Sequence, residues 1–284
     1  MQLPCYFDHN ATTPLDEQVL AAMLPYLTTY FGNPSARHEH GRVAKAALEI
    51  ARAQVAALVN VQASQVIFTA GGSEANNLAV KGVLAHRPAG RVLVSALEHR
   101  CVRASVQALI PLGWQCDVIA PDANGWIDPI VFEEQLTRFP TQWASVLLAH
   151  NETGVCQPVA TLAAHARVQG TWFHTDAVQA AGKIPLDFPA LGVHSLSVSG
   201  HKIGAPKGVG ALIVDKKLTI RPLIHGGGQE QGRRAGTENV AAIVALGSAC
   251  ELAQARLTEM AALAVLQTRL ESGLQALGAG TENV

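Results

Sequence analysis

The sequence predicts an α/β fold, a mostly parallel central sheet flanked by helices. Apolar, β-branched-rich runs at 66–69, 91–95, 115–119, 144–149, 171–175, 195–198 and 209–214 read as strands. Helical spacing at 16–30, 39–59, 73–86, 100–112, 129–138 and 158–169 fills most of the intervals between and before them. Strands that alternate with helices in this way make a parallel sheet covered on both faces. Such sheets bind ligands beyond the carboxyl ends of their strands. Gly71-Gly72-Ser73, His99, Asn151, Asp176 and Lys202 each fall just after a predicted strand, so all five converge on one rim.

The elements carry further local signals. His38-Glu39-His40 opens the helix at 39–59; an i, i+2 histidine pair does not share a helix face, and no third metal ligand is evident. Residues 238–277 read as one long helix or two consecutive ones, with Val240, Ile243, Val244, Leu246, Leu252, Leu257 and Leu263 apolar. Leu263, Leu266 and Leu270 form a stripe expected to be exposed, which predicts an aggregation-prone dimer. Ala235–Val240 recurs at Ala279–Val284, a repeat too short to define an architectural unit.

Composition narrows the function. Among 284 residues, 49% are apolar and 15% charged, as in a globular chain of about two domains. A net charge of −1 gives no electrostatic footprint for nucleic acid or an anionic membrane. No apolar run approaches a bilayer span, and Met1–Cys5 lacks the regions of a signal peptide, so the cytoplasm is the expected compartment. Five widely spaced cysteines (Cys5, Cys101, Cys116, Cys156 and Cys250) without C-x-x-C argue against a disulfide framework and a zinc site. Cys116 and Cys250 read as buried apolar side chains, and Cys101 and Cys156 adjoin the chemically interesting segments.

Lys202 ends an apolar strand, where packing gives no reason for a lysine, and Asp176 is placed the same way upstream. Singly they suit a surface lysine and a capping aspartate. Together they suit pyridoxal phosphate, whose aldehyde condenses with a lysine and whose ring nitrogen needs a carboxylate. Thr69–Asn77 follows a strand and opens a helix, so its glycines and Ser73 suit either a phosphate cup or a glycine turn with Ser73 as N-cap. His99 is placed to stack on a pyridine ring and exchange protons, or to be a solvated strand-end residue. Asn151 and Gln179 fit hydrogen bonds to a phenolic oxygen or ordinary turns. Ser199 and His201 flank the lysine as phosphate donors or as a local turn network. The loop His225–Glu230 followed by Arg233–Thr237 is Gly-rich and expected to be mobile unless bound, at a subunit contact or substrate mouth.

Six ordered blocks carry a resemblance: Phe31–Ser35, Gly71–Asn77, His150–Gly154, Thr175–Lys183, Ser199–Lys202 and Arg233–Asn239. With Tyr6–Pro14 they extend over nearly the whole chain. The chain resembles the fold-type I pyridoxal-phosphate enzymes of the class V aminotransferase group, and most the cysteine desulfurases of the nitrogen-fixation and iron–sulfur-assembly type. The resemblance implies pyridoxal 5'-phosphate on Lys202, with Lys202 later moving the substrate's α-proton. It implies that Asp176 keeps the ring nitrogen protonated and that His99 stacks and acts as acid and base. Gln179 and Asn151 would face the phenolic oxygen and substrate. Gly72, Ser73, Ser199 and His201 would hold the phosphate, with Thr237 entering from the second subunit of a homodimer. The implied substrate is L-cysteine, converted to alanine and an enzyme persulfide that a sulfur-acceptor or cluster-scaffold protein receives.

In that group the nucleophilic cysteine and the carboxylate-binding arginine follow the long helix, in a small domain. None of the five cysteines here occupies a matching motif. The expected layout is therefore a cofactor-binding large domain at 16–256, with 1–15 and 257–284 as an incomplete small domain, and a chain inactive or incomplete by itself. Another class V enzyme (an aminotransferase or a selenocysteine lyase) and a catalytically dead cofactor-binding or dimerisation module are the alternatives.

Overall fold

The computed structural model describes residues 4–277, except the side chain of Ala261; the second copy of the six-residue repeat lies outside them. Three helices come first: α1 (Glu17–Met23), α2 (Pro25–Thr28) and α3 (Glu39–Leu58). Asp16 caps α1 by accepting the Gln18 N–H at 2.8 Å, and His38 Nδ1 caps α3 by accepting the Gly41 N–H at 3.4 Å. The remainder alternates: β1 (Val66–Thr69), α4 (Gly72–Asn77), β2 (Arg91–Ser95), α5 (Arg100–Gln107), β3 (Gln115–Ile119), α6 (Pro129–Arg138), β4 (Trp143–Ser145) and α7 (Val159–Val168). Then come β5 (Trp172–Asp176), α8 (Phe188–Leu191), β6 (Ser195–Ser199), β7 (Gly210–Val214), α9 (Val240–Ala255) and α10 (Leu257–Ala276).

The seven strands form one sheet in the order β1-β7-β6-β5-β4-β2-β3. β7 is antiparallel to both its neighbours, and the other strands run the same way. The carboxyl ends of six strands therefore lie on one rim. The helices cover both faces, as alternation predicts. Val55 of α3, Phe132 of α6, Leu162 of α7 and Leu246 of α9 share one core with Phe68, Leu196 and Val198. Ala75 of α4, Leu78 directly after it, and Val102 of α5 share the other with Ile67, Val92 and Leu212. Phe132 is fully buried, edge-on to Phe173 at 5.8 Å, and truncating it to alanine should cost about 3–5 kcal/mol.

Several expected boundaries shift for physical reasons. The helix expected at 100–112 breaks at Ala108, and Ile110–Leu112 forms a separate 3₁₀ turn around Pro111. The strand expected at 144–149 pairs regularly only to Ser145, yet the Val146 and Leu148 N–H groups still reach the His174 and Asp176 carbonyls. Asp176 is the last residue of β5 rather than the first beyond it. Cys116 is half-buried rather than buried, because β3 is the edge strand; Cys250 is fully buried. The 238–277 segment holds two helices bent by 58°, and among the described residues no single helix is long and apolar enough to cross a membrane. Leu263, Leu266 and Leu270 are 48%, 59% and 63% exposed, as their spacing predicts.

Candidate active site

The strand ends open on a cleft of about 900 Å³. Nine of the ten candidate residues line it: Gly72, Ser73, His99, Asn151, Asp176, Gln179, Ser199, His201 and Lys202. Thr237, exposed on the Gly-rich loop, does not. Each lining residue arrives by a different route. Gly71, with φ of 145°, turns the chain sharply out of β1, and α4 begins at Gly72. A Cβ on Gly72 would come within 2.9 Å of Val178 Cγ2 and 3.3 Å of Ser199 Cβ, so only glycine brings this helix start against that wall. The N–H groups of the first turn have no acceptor within the helix and suit an anion. Glu74, the acid beside them, is paired to Arg234 Nε at 2.8 Å and accepts the Ala70 N–H at 2.8 Å.

Lys202 lies in a 3₁₀ turn directly after β6, and its Nζ donates to the carbonyls of Asn10 and, at 3.0 Å, Ala11. Burial holds its ammonium below the usual lysine range, against the opposing pull of Asp176 and Asp8. Asp176, 7% exposed, accepts the Val178 N–H at 2.9 Å on Oδ1 and the Asn76 amide at 2.6 Å on Oδ2. Burial pushes its carboxyl up, while those two hydrogen bonds and the nearby His99 and Lys202 pull it back. The pair singled out by sequence thus shares one cleft, with charges close enough to perturb each other.

His99 caps α5, its Nδ1 accepting the Cys101 N–H at 3.2 Å and lying 2.9 Å from Cys101 Sγ. Its imidazole is exposed over the cleft. Gln179 accepts from Lys183 Nζ at 2.6 Å and donates to the Asn10 carbonyl at 2.9 Å. The positive Lys183 therefore fixes which end of that amide is the donor. Asn151 stands in a turn closed by the Gly154 N–H to His150 carbonyl bond at 3.0 Å. His201 Nδ1 is 3.2 Å from Thr12 Oγ1, and burial followed by Lys202 and Lys207 lowers its pKa.

For a phosphorylated pyridine aldehyde this donor set fits. A helix start and Ser73 suit the phosphate, Lys202 the aldehyde, Asp176 the ring nitrogen, and the exposed imidazole of His99 a ring face. Sequence reasoning missed three residues. Asn76 and His174, both fully buried, connect to Asp176; a histidine inside the apolar run Trp172-Phe173 was the available signal. Glu98 is 2% exposed, with Oε2 lacking any partner among the described residues. Burial, then Asp176, pushes its carboxyl up to about 8.

The Gly-rich loop, expected to be mobile unless bound, carries an internal anchor. Glu230, with φ of 49°, buries its carboxylate against Arg52 in two 2.7 Å bonds and accepts the Phe68 N–H at 2.9 Å. Arg233 reaches the Ser64 carbonyl at 3.2 Å. One acid in the middle of the loop ties it to the edge of the sheet.

Comparison with known proteins gives a consistent result. The class V aminotransferase family matches residues 5–280. Cysteine desulfurase 2 of Trichormus variabilis is 44% identical over 98% of this chain and 70% of its own length. Cysteine desulfurase IscS of Dictyoglomus turgidum is 44% identical over 89% of this chain and 64% of its own. The chain thus spans about two thirds of the length of these relatives. A solved NifS-like protein superposes with a TM-score of 0.93 at 36% identity, covering 97% of this chain and 77% of that one. SspA in complex with cysteine gives 0.84 at 38%, covering 87% and 72%.

Proposed function

This chain belongs to the class V aminotransferase family, among its pyridoxal-phosphate-dependent cysteine desulfurases, and we propose that its cleft binds pyridoxal 5'-phosphate on Lys202 and takes L-cysteine. The observation that carries this reading is the convergence of Lys202, Asp176 and the Gly72–Ser73 helix start on one cleft. The cofactor supplies an aldehyde that condenses with amines and a ring that withdraws electrons from the attached carbon.

The chain's own residues do the rest. A lysine whose pKa burial has lowered is more often the free base, the form that attacks an aldehyde and later carries a proton to and from the substrate's α-carbon. Asp176, held on one side by Val178 and Asn76, presents its remaining lone pairs to a ring N–H. Gly72, Ser73, Ser199 and His201 receive the phosphate. Gln179 and Asn151 serve the phenolic oxygen and substrate. His99 covers the ring and moves protons. Burial raises the Cys101 thiol, which disfavours the thiolate form, and none of the five cysteines occupies the motif of the family's nucleophile, so none is assigned the persulfide.

The domain division at 16–256, with 1–15 and 257–284 as parts of a second unit, belongs to the same proposal. So does a homodimer, supported by Thr237 outside its own cleft and by Leu27 and Phe31, 59% and 76% exposed. A cytoplasmic site and transfer of sulfur to an acceptor or cluster-scaffold protein complete the reading. The test is cofactor loading followed by cysteine. A Lys202-dependent absorption band near that of protonated Schiff bases is expected, with weak sulfide release by this chain alone. Colourless protein after incubation with the cofactor would reject the reading.

A further inference from the structure

A chain of buried polar groups runs beneath the cleft from β6 through β5 to α4. Asn76 Nδ2 donates to Asp176 Oδ2 at 2.6 Å. Asn76 Oδ1 is 2.6 Å from Ser197 Oγ and 2.9 Å from His174 Nε2. His174 Nδ1 is 2.8 Å from Ser195 Oγ. Asn76, His174, Ser195 and Ser197 are each no more than 1% exposed. Trp143 stacks on His174, ring centroids 5.9 Å apart.

From this geometry we infer that Asn76 and His174 are positioning residues, which hold the Asp176 carboxylate in place for the ring nitrogen of the cofactor. The inference rests on the proposed cofactor reading. An ionised carboxylate only accepts, so Asn76 must turn its NH₂ toward Asp176. Its oxygen then faces His174 and Ser197, and both must donate to it. His174 is therefore the Nε2–H tautomer, and its bare Nδ1 accepts from the Ser195 hydroxyl. A flipped Asn76 amide would set its carbonyl oxygen against the Asp176 carboxylate, acceptor against acceptor in a dry interior, so the whole chain has one arrangement. Burial lowers the His174 pKa to about 3, which keeps that ring neutral at working pH.

The second hydrogen of the Asn76 amide meets Cys101 Sγ at 3.2 Å, so the amide has no free donor. Asn76 also stands on the helix whose first turn is Gly72–Ser73. One rigid element thus connects the phosphate end of the site to the ring-nitrogen end. The titratable groups facing Asp176 are Glu98 from the turn after β2, His99 and Cys101 at the start of α5 and Lys202 after β6.

The experiment uses the full chain in two forms. In ligand-free protein, ¹⁵N shifts of His174 should report the Nε2–H tautomer; an Nδ1–H ring or an imidazolium overturns the inference. In cofactor titrations, His174→Phe keeps a flat ring on Trp143 but removes the donor. It should weaken pyridoxal phosphate binding about fivefold, the effect of one neutral hydrogen bond. It should also move the titration of the Lys202-linked band to higher pH, because a less firmly protonated ring withdraws less charge. His174→Gln, which restores a donor at the Nε2 position, should return both values to within about twofold of the parent. A His174→Phe protein that matches the parent in both readouts overturns the inference, as does a His174→Gln protein no better than His174→Phe. If His174→Phe does not fold, Ser195→Ala must show the same two shifts in smaller measure, and no shift overturns it. Failure of the parent itself to form the band would indict the cofactor reading, while the tautomer measurement would still judge the network.

Discussion

Two of the buried acids are held in different ways, Glu230 in the Gly-rich loop and Asp176 at the cleft. Glu230 has Arg52 on both oxygens and the Phe68 N–H besides, so its charge is answered on every side. Asp176 has one donor on each oxygen, one from the turn after β5 and one from α4, while the residue itself lines the cleft. A closed ion pair fastens a loop. A half-answered carboxylate keeps a place for a cation that comes from outside the chain, and the residues behind it set its direction.

The largest effect that separates the two is expected at Glu230. Glu230→Gln leaves the buried Arg52 guanidinium with only the exposed Glu49 carboxylate, 3.6 Å from Nε, as counter-charge, which should cost about 3 kcal/mol in urea unfolding. A loss under about 1 kcal/mol would make this pair no anchor at all, and the contrast with Asp176 would fail.

Glu98 sharpens the comparison through pH. Its folded pKa of about 8 stands above the ordinary value of 4.5, so the folded state binds the extra proton between those limits. The stability it contributes is present below about pH 4.5 and is lost as pH rises toward 8. Glu98→Gln removes that loss. The variant should gain on the parent, by an amount on the order of 3 kcal/mol, between pH 5 and 9 in paired denaturant melts. Parallel curves would show that Glu98 is not a buried neutral acid. The smallest effect is expected at the partly exposed Arg256–Asp16 pair, 2.7 Å apart: Arg256→Ala should leave Tm nearly unchanged, and a large drop would mean that surface pairs matter here as much as buried ones.

The sheet was legible because its strands are short apolar runs separated by helices of regular spacing. Strand ends told where polar residues would gather, which is why Lys202, Asp176 and His99 could be named before any coordinates. What supports them was not legible. Asn76 and His174 act through contacts between residues about a hundred positions apart, on elements whose neighbours the sheet order alone decides. Glycine content predicted a loose loop at 225–237, since composition does not reveal that Glu230 finds Arg52 on a distant helix. The end of β4 at Ser145 was also set by tertiary bonding rather than by local propensity, whereas the break at Ala108 follows from Pro111.

The account stands most directly on the bond between Lys202 and the cofactor. Protein incubated with pyridoxal phosphate, reduced with borohydride and digested should carry the pyridoxyl label on the Lys202 peptide, and Lys202→Ala should carry none. A label on Lys183, Lys207 or spread over surface lysines would contradict it.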